Sequence, residues 1–91
     1  MGATGDTVLD FGAIPVADAS VVVTGQAGIL ATSKVEAFIR LEATADHSVD
    51  EHRVEPLKIT AGNIVVGVGF TIYGESNLQA YGQWTVTWVW V

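Results

Sequence analysis

The sequence predicts an all-β fold: a small antiparallel β-sandwich or barrel with a C-terminal three-stranded meander. The strongest observation is the alternation of residues 83–91, which puts Trp84, Val86, Trp88 and Trp90 on one face of a strand. The second is composition, because Val, Thr, Gly and Ala are abundant and turn residues recur about every ten residues, as in sandwiches and barrels. The third is length, since 91 residues make one domain.

The N-terminal part of the chain contains a predicted arm and two predicted strands. Residues 1–6 are small and polar, and we expect a flexible N-terminal arm there, followed by a single β domain over residues 7–91. Residues 7–14 form the first predicted strand, which Pro15 ends or places at a sheet edge. Residues 20–24 are rich in β-branched side chains and form the second.

Residues 33–43 fit two structures. Apolar and polar residues alternate along them, which predicts a strand, and only Phe38 breaks the alternation. A helix competes, because Ser33 and Glu36 match a capping box and Glu36 with Arg40 would be an i,i+4 ion pair. We favour the strand, since the alternation is long and the neighbouring segments are β.

The rest of the chain alternates between predicted turns and strands. Residues 45–55 form the densest polar run, predicted as a loop with one helical turn from Ser48 and closed by Pro56. The predicted meander follows, with turns at 61–63 and 74–77. Its strands are residues 57–60, 64–73 and 80–91, and a neighbouring backbone or an aromatic side chain is expected over the strand glycines Gly67 and Gly69.

Composition indicates partners made of protein. Charged residues are 15% of the chain, against about 25% in ordinary domains, and hydrophobic residues are 49%. So few charges leave apolar surface exposed, which predicts a homo-oligomer, with a trimer as the first expectation. The alternative is a monomer with a surface of Thr, Ser, Gly and Ala.

Charge and hydropathy exclude two other partner classes. The net charge is −6 and the four basic residues are spread along the chain, which argues against a nucleic-acid ligand. The acidic balance opposes binding to anionic membranes. No apolar run approaches the roughly 20 residues of a membrane helix.

One polar cluster is a candidate metal site. Asp46, His47, Asp50 and His52 carry ligand chemistry, but their spacing matches no strong motif, and a solvated polar loop explains them as well. A metal-dependent enzyme using His47 and His52 stays a third hypothesis. No nucleophile elbow, phosphate loop or dinucleotide motif accompanies the histidines, so we expect no enzyme and no cofactor.

The aromatic residues are the candidate partner surface. Tryptophan and tyrosine anchor both cores and subunit interfaces, and they also form sugar-stacking platforms. We therefore consider a core, an oligomer or partner interface, and a glycan- or receptor-binding face. The predicted interface residues are Trp84, Trp88, Trp90, Tyr73, Tyr81 and Phe38.

Residues 44–56, 69–73 and 81–86 resemble small proteins encoded in tailed-phage genomes and proteobacterial prophages. This resemblance covers most of the chain from Val8 onward and transfers no catalytic or binding residues. It implies a virion protein, found in the virion and in the host cytoplasm during assembly. A capsid decoration (cement) subunit that binds the major capsid protein or other virion proteins is the first expectation. A tail, neck or fibre component is the second.

Overall fold

The computed structural model describes residues 2–54 and 57–91. Six strands and one short helix occur along these residues. They are β1 (Ala3–Asp10), β2 (Val16–Val23), β3 (Val35–Ile39), α1 (Val49–Val54), β4 (Leu57–Val65), β5 (Gly69–Ala80) and β6 (Gln83–Trp90). Within the described ranges, no helix has the length and apolarity needed to cross a bilayer.

The strands form two antiparallel three-stranded sheets. Their orders are β1-β6-β3 and β2-β5-β4. The sheet edges meet where β1 lies beside β2 and β3 lies beside β4. This arrangement confirms the predicted class, a small antiparallel β-sandwich.

Strand β6 is the centre of the first sheet and supplies much of the core. Its inward side chains are Trp84, Val86, Trp88 and Trp90, and none of them is more than 7% exposed. The alternation seen in the sequence therefore places one complete apolar face against the second sheet. Leu9 from β1, and Phe70 and Ile72 from β5, complete the centre of this core.

The predicted meander is wrong in its third strand. Strands β4 and β5 pair as a hairpin, but β6 leaves their sheet and pairs with β1 and β3. Strand β6 carries an apolar face along its whole length, and β5 carries Phe70 and Ile72 on its inward face. Facing each other across the sandwich, the two strands bury both sets of side chains in one core. Gly82, at a φ of 75°, lies in the short link that turns the chain from one sheet to the other.

The two predicted turns in this region lie inside strands. Residues 61–63 belong to β4, where Asn63 has a φ of 52° and the register with β5 shifts. Residues 74–77 belong to β5. The actual hairpin turn is formed by residues 66–68, and it needs Gly67 because its φ is 74°.

The prediction of a flexible N-terminal arm over residues 1–6 is wrong for residues 3–6. Strand β1 begins at Ala3, which pairs with Trp90, so residues 3–6 extend a sheet that the prediction started at Thr7. The indole ring of Trp88 covers Gly5 so closely that an added Cβ would lie 2.6 Å from it. Gly5 therefore leaves the space that the Trp88 ring of the neighbouring strand occupies. Of the predicted arm, Met1 lies outside the described residues.

A close approach also occurs at one of the two glycines singled out above. A Cβ at Gly69 would collide with the backbone carbonyl of Val23, so the neighbour is a backbone and not an aromatic ring. Gly67 lies in the hairpin turn.

For residues 33–43, the choice of a strand over a helix is confirmed at Val35–Ile39, which form β3 and pair with β6. Residues 33–34 and 40–43 lie outside that strand. The helical turn predicted at Ser48 is also present, as α1. Ser48 Oγ accepts from the Glu51 N–H at 3.2 Å, and Glu51 Oε1 accepts from the Ser48 N–H at 3.0 Å. This reciprocal pair is a capping box. Pro56, predicted to close the loop, lies outside the described residues.

Candidate functional site

The predicted aromatic interface divides into buried and exposed members. Trp84, Trp88 and Trp90 lie in the core of the single chain, so in the folded protein they present no surface to a partner. The interface prediction is corrected for these three residues, which take the core alternative. The exposed members are Phe38, Tyr73 and Tyr81, at 50%, 38% and 47%.

The predicted metal-binding segment covers the start of β6. Strand β3 ends at Ile39, so the backbone of residues 83–85 extends past its neighbouring strand. Residues 42–54, which we call the α1 segment, lie along this part of β6. Buried backbone groups need hydrogen-bond partners, and side chains of the α1 segment supply them in place of a strand.

Three of these side chains bond directly to the β6 backbone. Thr44 Oγ1 donates to the Gln83 carbonyl at 2.7 Å. Asp46 Oδ2 accepts from the Gln83 N–H at 2.8 Å. His52 Nε2 accepts from the Thr85 N–H at 2.9 Å, and the His52 side chain is almost fully buried. The polar run thus completes the hydrogen bonding of the first sheet.

The hydrogen bonds of His52 fix its tautomer. Its Nδ1 lies 2.8 Å from the Ser48 carbonyl oxygen, which can only accept, so Nδ1 carries the proton. Its Nε2 faces the Thr85 N–H, which can only donate, so Nε2 carries a lone pair. His52 is therefore a neutral imidazole with both nitrogens occupied.

His47 is held by a carbonyl, a carboxylate and an indole ring. Its Nε2 donates to the Tyr81 carbonyl at 2.6 Å, and its Nδ1 lies 3.0 Å from Glu51 Oε2. Its ring stacks on Trp84, with centroids 3.6 Å apart and planes at 17°. These contacts attach the α1 segment to the core through His47.

The four candidate metal ligands do not converge. His47 and His52 lie together over one tryptophan, but each ring nitrogen faces a protein partner. Asp46 accepts from the β6 backbone, and Asp50 faces Arg53 at 3.6 Å on the solvent side of α1. Within residues 2–54 and 57–91, no group of three or more His, Cys, Asp or Glu side chains is placed to hold a metal ion.

The Glu51 carboxylate gives this segment a pH dependence. The His47 hydrogen bond and then the Ser48 N–H lower the pKa of Glu51 below its ordinary value of 4.5. A lowered carboxylate pKa stabilises the folded state above the unfolded pKa, and that stabilisation is lost as pH falls through the folded pKa. We expect Glu51→Gln to unfold at a lower temperature than wild type near neutral pH, and the difference to shrink below about pH 4.5. Thermal unfolding of both proteins from about pH 7 to about pH 3 measures it, and a constant difference would contradict it.

One end of the sandwich carries an exposed aliphatic cluster. Backbone hydrogen bonds from Gln26 to Val68 and from Gly67 to Ile29 hold the β4–β5 turn against the loop between β2 and β3. The C-terminal residue reaches the same end through its backbone bonds to Lys34. We call this surface the apolar end; its residues, all 44–68% exposed, are Leu30, Val65, Val66, Val68 and Val91.

The outer face of the second sheet carries the exposed ring of Tyr73. Ser20 on β2 and Thr60 on β4 are its direct cross-strand neighbours. Two residues farther along the same face, Asp18 on β2 pairs with Glu75 on β5. Together these residues line a shallow cavity of about 480 Å³. We call these five residues the Tyr73 face.

On the outer face of the first sheet, polar side chains near the exposed ring are bonded to each other. Its exposed ring is Phe38, which lies directly opposite Thr87 on β6. Thr87 Oγ1 donates to Asp6 Oδ1 at 2.7 Å, and Asp6 faces Arg40 at 3.6 Å. The polar groups around Phe38 are therefore bonded to each other.

Sequence reasoning does not single out Asp18, Ser20, Thr60 or Glu75. Strand alternation places each on an outward face, but the pairing of Thr60 with Tyr73 depends on the register shift between Gly62 and Val65. Gly62 and Asn63 mark the position of this shift, but the sequence does not show whether they end the strand or interrupt it.

The chain matches no protein-family model, no curated protein and no solved structure. The features of the fold that bear on its function are the apolar end, the Tyr73 face and the α1 segment.

Proposed function

We propose that this protein is a structural subunit of a larger protein assembly, and specifically a capsid decoration (cement) subunit of a tailed phage. The apolar end is the observation that carries the proposal, because exposing a cluster of aliphatic side chains to water is unfavourable and such patches usually mark interaction sites. The resemblance of residues 44–56 to phage-encoded proteins supplies the virion context. A tail, neck or fibre component is the second candidate on the same observation.

The apolar end has the chemistry of a docking surface. Its five side chains are all aliphatic, with the charged residues Lys34 and Glu36 beside Val91, and residues 65–69, in and next to the turn, are Val and Gly alone. Charged residues are depleted from the cores of protein interfaces. The backbone bonds from Gln26 and Gly67 hold the turn in place, so little conformational entropy is lost when a partner covers it.

The proposed mechanism is passive. A subunit that binds only the assembled shell stabilises the shell by mass action, without chemistry or a cofactor. The proposed partners are other copies of this chain, first as a trimer, and the major capsid protein or another virion protein. Nucleic acid and membranes are not proposed as partners, because the chain has a net charge of −6.

The first test concerns self-association through the apolar end. We expect the wild-type chain to form an oligomer and Val66→Asp to shift it to the 9.6 kDa monomer, because burying a carboxylate in an aliphatic contact is costly. Light scattering behind a sizing column over a dilution series measures the mass. The control is Ile14→Asp, which changes an aliphatic residue 79% exposed in the loop between β1 and β2. A wild-type monomer at every concentration, or an oligomeric Val66→Asp, would contradict self-association through this end.

The second test concerns the virion. Mass spectrometry of purified particles from the encoding phage is expected to find the chain in many copies. Particles lacking the chain should release DNA at a lower temperature, and added wild-type protein should restore the temperature while Val66→Asp should not. Absence of the chain from purified particles would overturn the virion proposal, whatever the oligomeric state.

A further inference from the structure

We infer that the Tyr73 face binds an uncharged oligosaccharide. This site is separate from the apolar end and does not depend on the proposed assembly role. It rests on four properties of one sheet face: unbonded polar side chains, an exposed aromatic ring, a shallow cavity and local negative charge.

The polar side chains of this face are available to a ligand. Within residues 2–54 and 57–91, no protein hydrogen bond is formed by the side chains of Asp18, Ser20, Thr60, Tyr73 or Glu75. The corresponding groups around Phe38 are bonded to each other, as Thr87 and Asp6 are. Two hydroxyls and two carboxylates around one ring form a set of donors and acceptors that sugar hydroxyls can pair with.

The Tyr73 ring provides the apolar part of such a site. A tyrosine has an apolar ring face and a polar tip, which suits the C–H face of a sugar ring bordered by hydroxyls. Ser20 and Thr60 lie one strand away on either side, so the row spans about 10 Å. Gly62 leaves open space beyond Thr60, since a Cβ there would meet nothing within 4 Å. Gly62 pairs with Thr71, one row from the ring, and Val22 borders the same row on the β2 side.

The cavity has the size of a ligand site. Its volume of about 480 Å³ lies within the range of about 300–1,000 Å³ that is usual for small-molecule pockets. Its shallow form suits a chain of sugars lying across the strands better than an enclosed ligand.

Charge selects the class of saccharide. Asp18 and Glu75 are both carboxylates, with Lys58 opposite Glu75, and the whole chain has a net charge of −6. Carboxylates accept hydrogen bonds from sugar hydroxyls but repel sialic acids, uronic acids, sulfates and phosphates. An uncharged oligosaccharide therefore fits this face, and an anionic one does not.

The test is binding of the full chain to a printed array of neutral and anionic oligosaccharides, followed by NMR titration with the strongest neutral hit. We expect binding to at least one neutral glycan, with shifts in the amide signals of β2, β4 and β5. Tyr73→Ala should weaken that binding by about tenfold or more, because it removes the stacking surface. Asp18→Ala, an exposed position, should weaken it by about threefold to tenfold and serves as the second variant if Tyr73→Ala folds poorly.

The matched control is Tyr81→Ala, which removes an exposed tyrosine ring that lies in the link between β5 and β6 and does not line the cavity of the Tyr73 face. It should bind within twofold of wild type. The inference is overturned by an array with no neutral hit, by preference for anionic glycans, or by full binding in both Tyr73→Ala and Asp18→Ala. A change in oligomeric mass on Tyr73→Ala without glycan binding would show instead that this face contacts protein.

Discussion

Replacing Trp84 with alanine is expected to lower the free energy of unfolding by about 3–5 kcal/mol. Trp84 is 2% exposed, stacks on His47 and donates from Nε1 to the Tyr81 carbonyl at 3.2 Å. The substitution leaves a cavity between the sheets and removes the ring on which the α1 segment rests. A domain of this size has about 5–15 kcal/mol of stability in total, so this one substitution removes a substantial share of it.

Urea denaturation of wild type and Trp84→Ala, followed by far-ultraviolet circular dichroism, measures this loss. Phe38→Ala is the comparison, since it removes an aromatic ring that is 50% exposed and should cost much less. Equal losses for the two variants would contradict the assignment of Trp84 to the core.

His52→Ala is the second large expected effect, a loss of about 1–3 kcal/mol. His52 Nε2 is the acceptor for the Thr85 N–H in the buried part of β6, and alanine leaves that donor without a protein partner. The cost comes from an unsatisfied buried amide and not from lost charge, because the bonded His52 is neutral.

Hydrogen exchange at the Thr85 amide separates this explanation from a general loss of packing. It should accelerate in His52→Ala more than the amides at the centre of β6. His52→Gln places an acceptor near the position of Nε2 and should recover part of the loss. Arg53→Ala, at an exposed neighbouring position where the ion-pair partner among the described residues is Asp50, should change stability by less than about 1 kcal/mol. Unchanged Thr85 exchange in His52→Ala would contradict the role given to its imidazole.

The features predicted most successfully from the sequence are those set by side-chain alternation. Period-two alternation identified both β6 and β3, because a strand with one buried face must alternate whatever sheet it joins. The capping-box pattern was less decisive. It occurs at Ser33–Glu36 and again at Ser48–Glu51, and only the second forms a helix. At the first, the alternating apolar face packs against the core beside β6, and this outweighs the local helical signal.

Sheet membership could not be predicted in the same way. The sequence placed β6 beside β5, because consecutive strands are usually neighbours. The structure pairs β6 with β1 and β3, a choice that depends on how two apolar faces cover each other. The turn predicted at residues 61–63 was wrong for a related reason. Gly62 and Asn63 form an irregularity inside β4 and do not end the strand.

The candidate sites depended on that missing information. The tryptophans were correctly placed on one face, but whether a neighbouring subunit or the second sheet covers that face is decided by the pairing of strands. The sequence grouped His47 and His52, five residues apart, in a polar run that a solvated loop would explain, but both side chains are buried, at 4% and 2% exposed. Their role in bonding the β6 backbone became clear only once β3 was seen to end at Ile39.

The register of the first sheet bears on how the chain reaches its native state. Ala3 pairs with Trp90 and Thr4 with Val89, so this sheet joins the two extremes of the described sequence, whereas Val65 and Gly69 close a local hairpin. Distant pairings require a large loss of chain entropy before any contact compensates for it. We therefore expect the β4–β5 hairpin to form early and β1 to join last, with folding on the millisecond-to-second timescale of proteins with high contact order. Until β1 joins, the tryptophan-bearing strand has an unpaired edge, and that interval is when this chain is most exposed to aggregation.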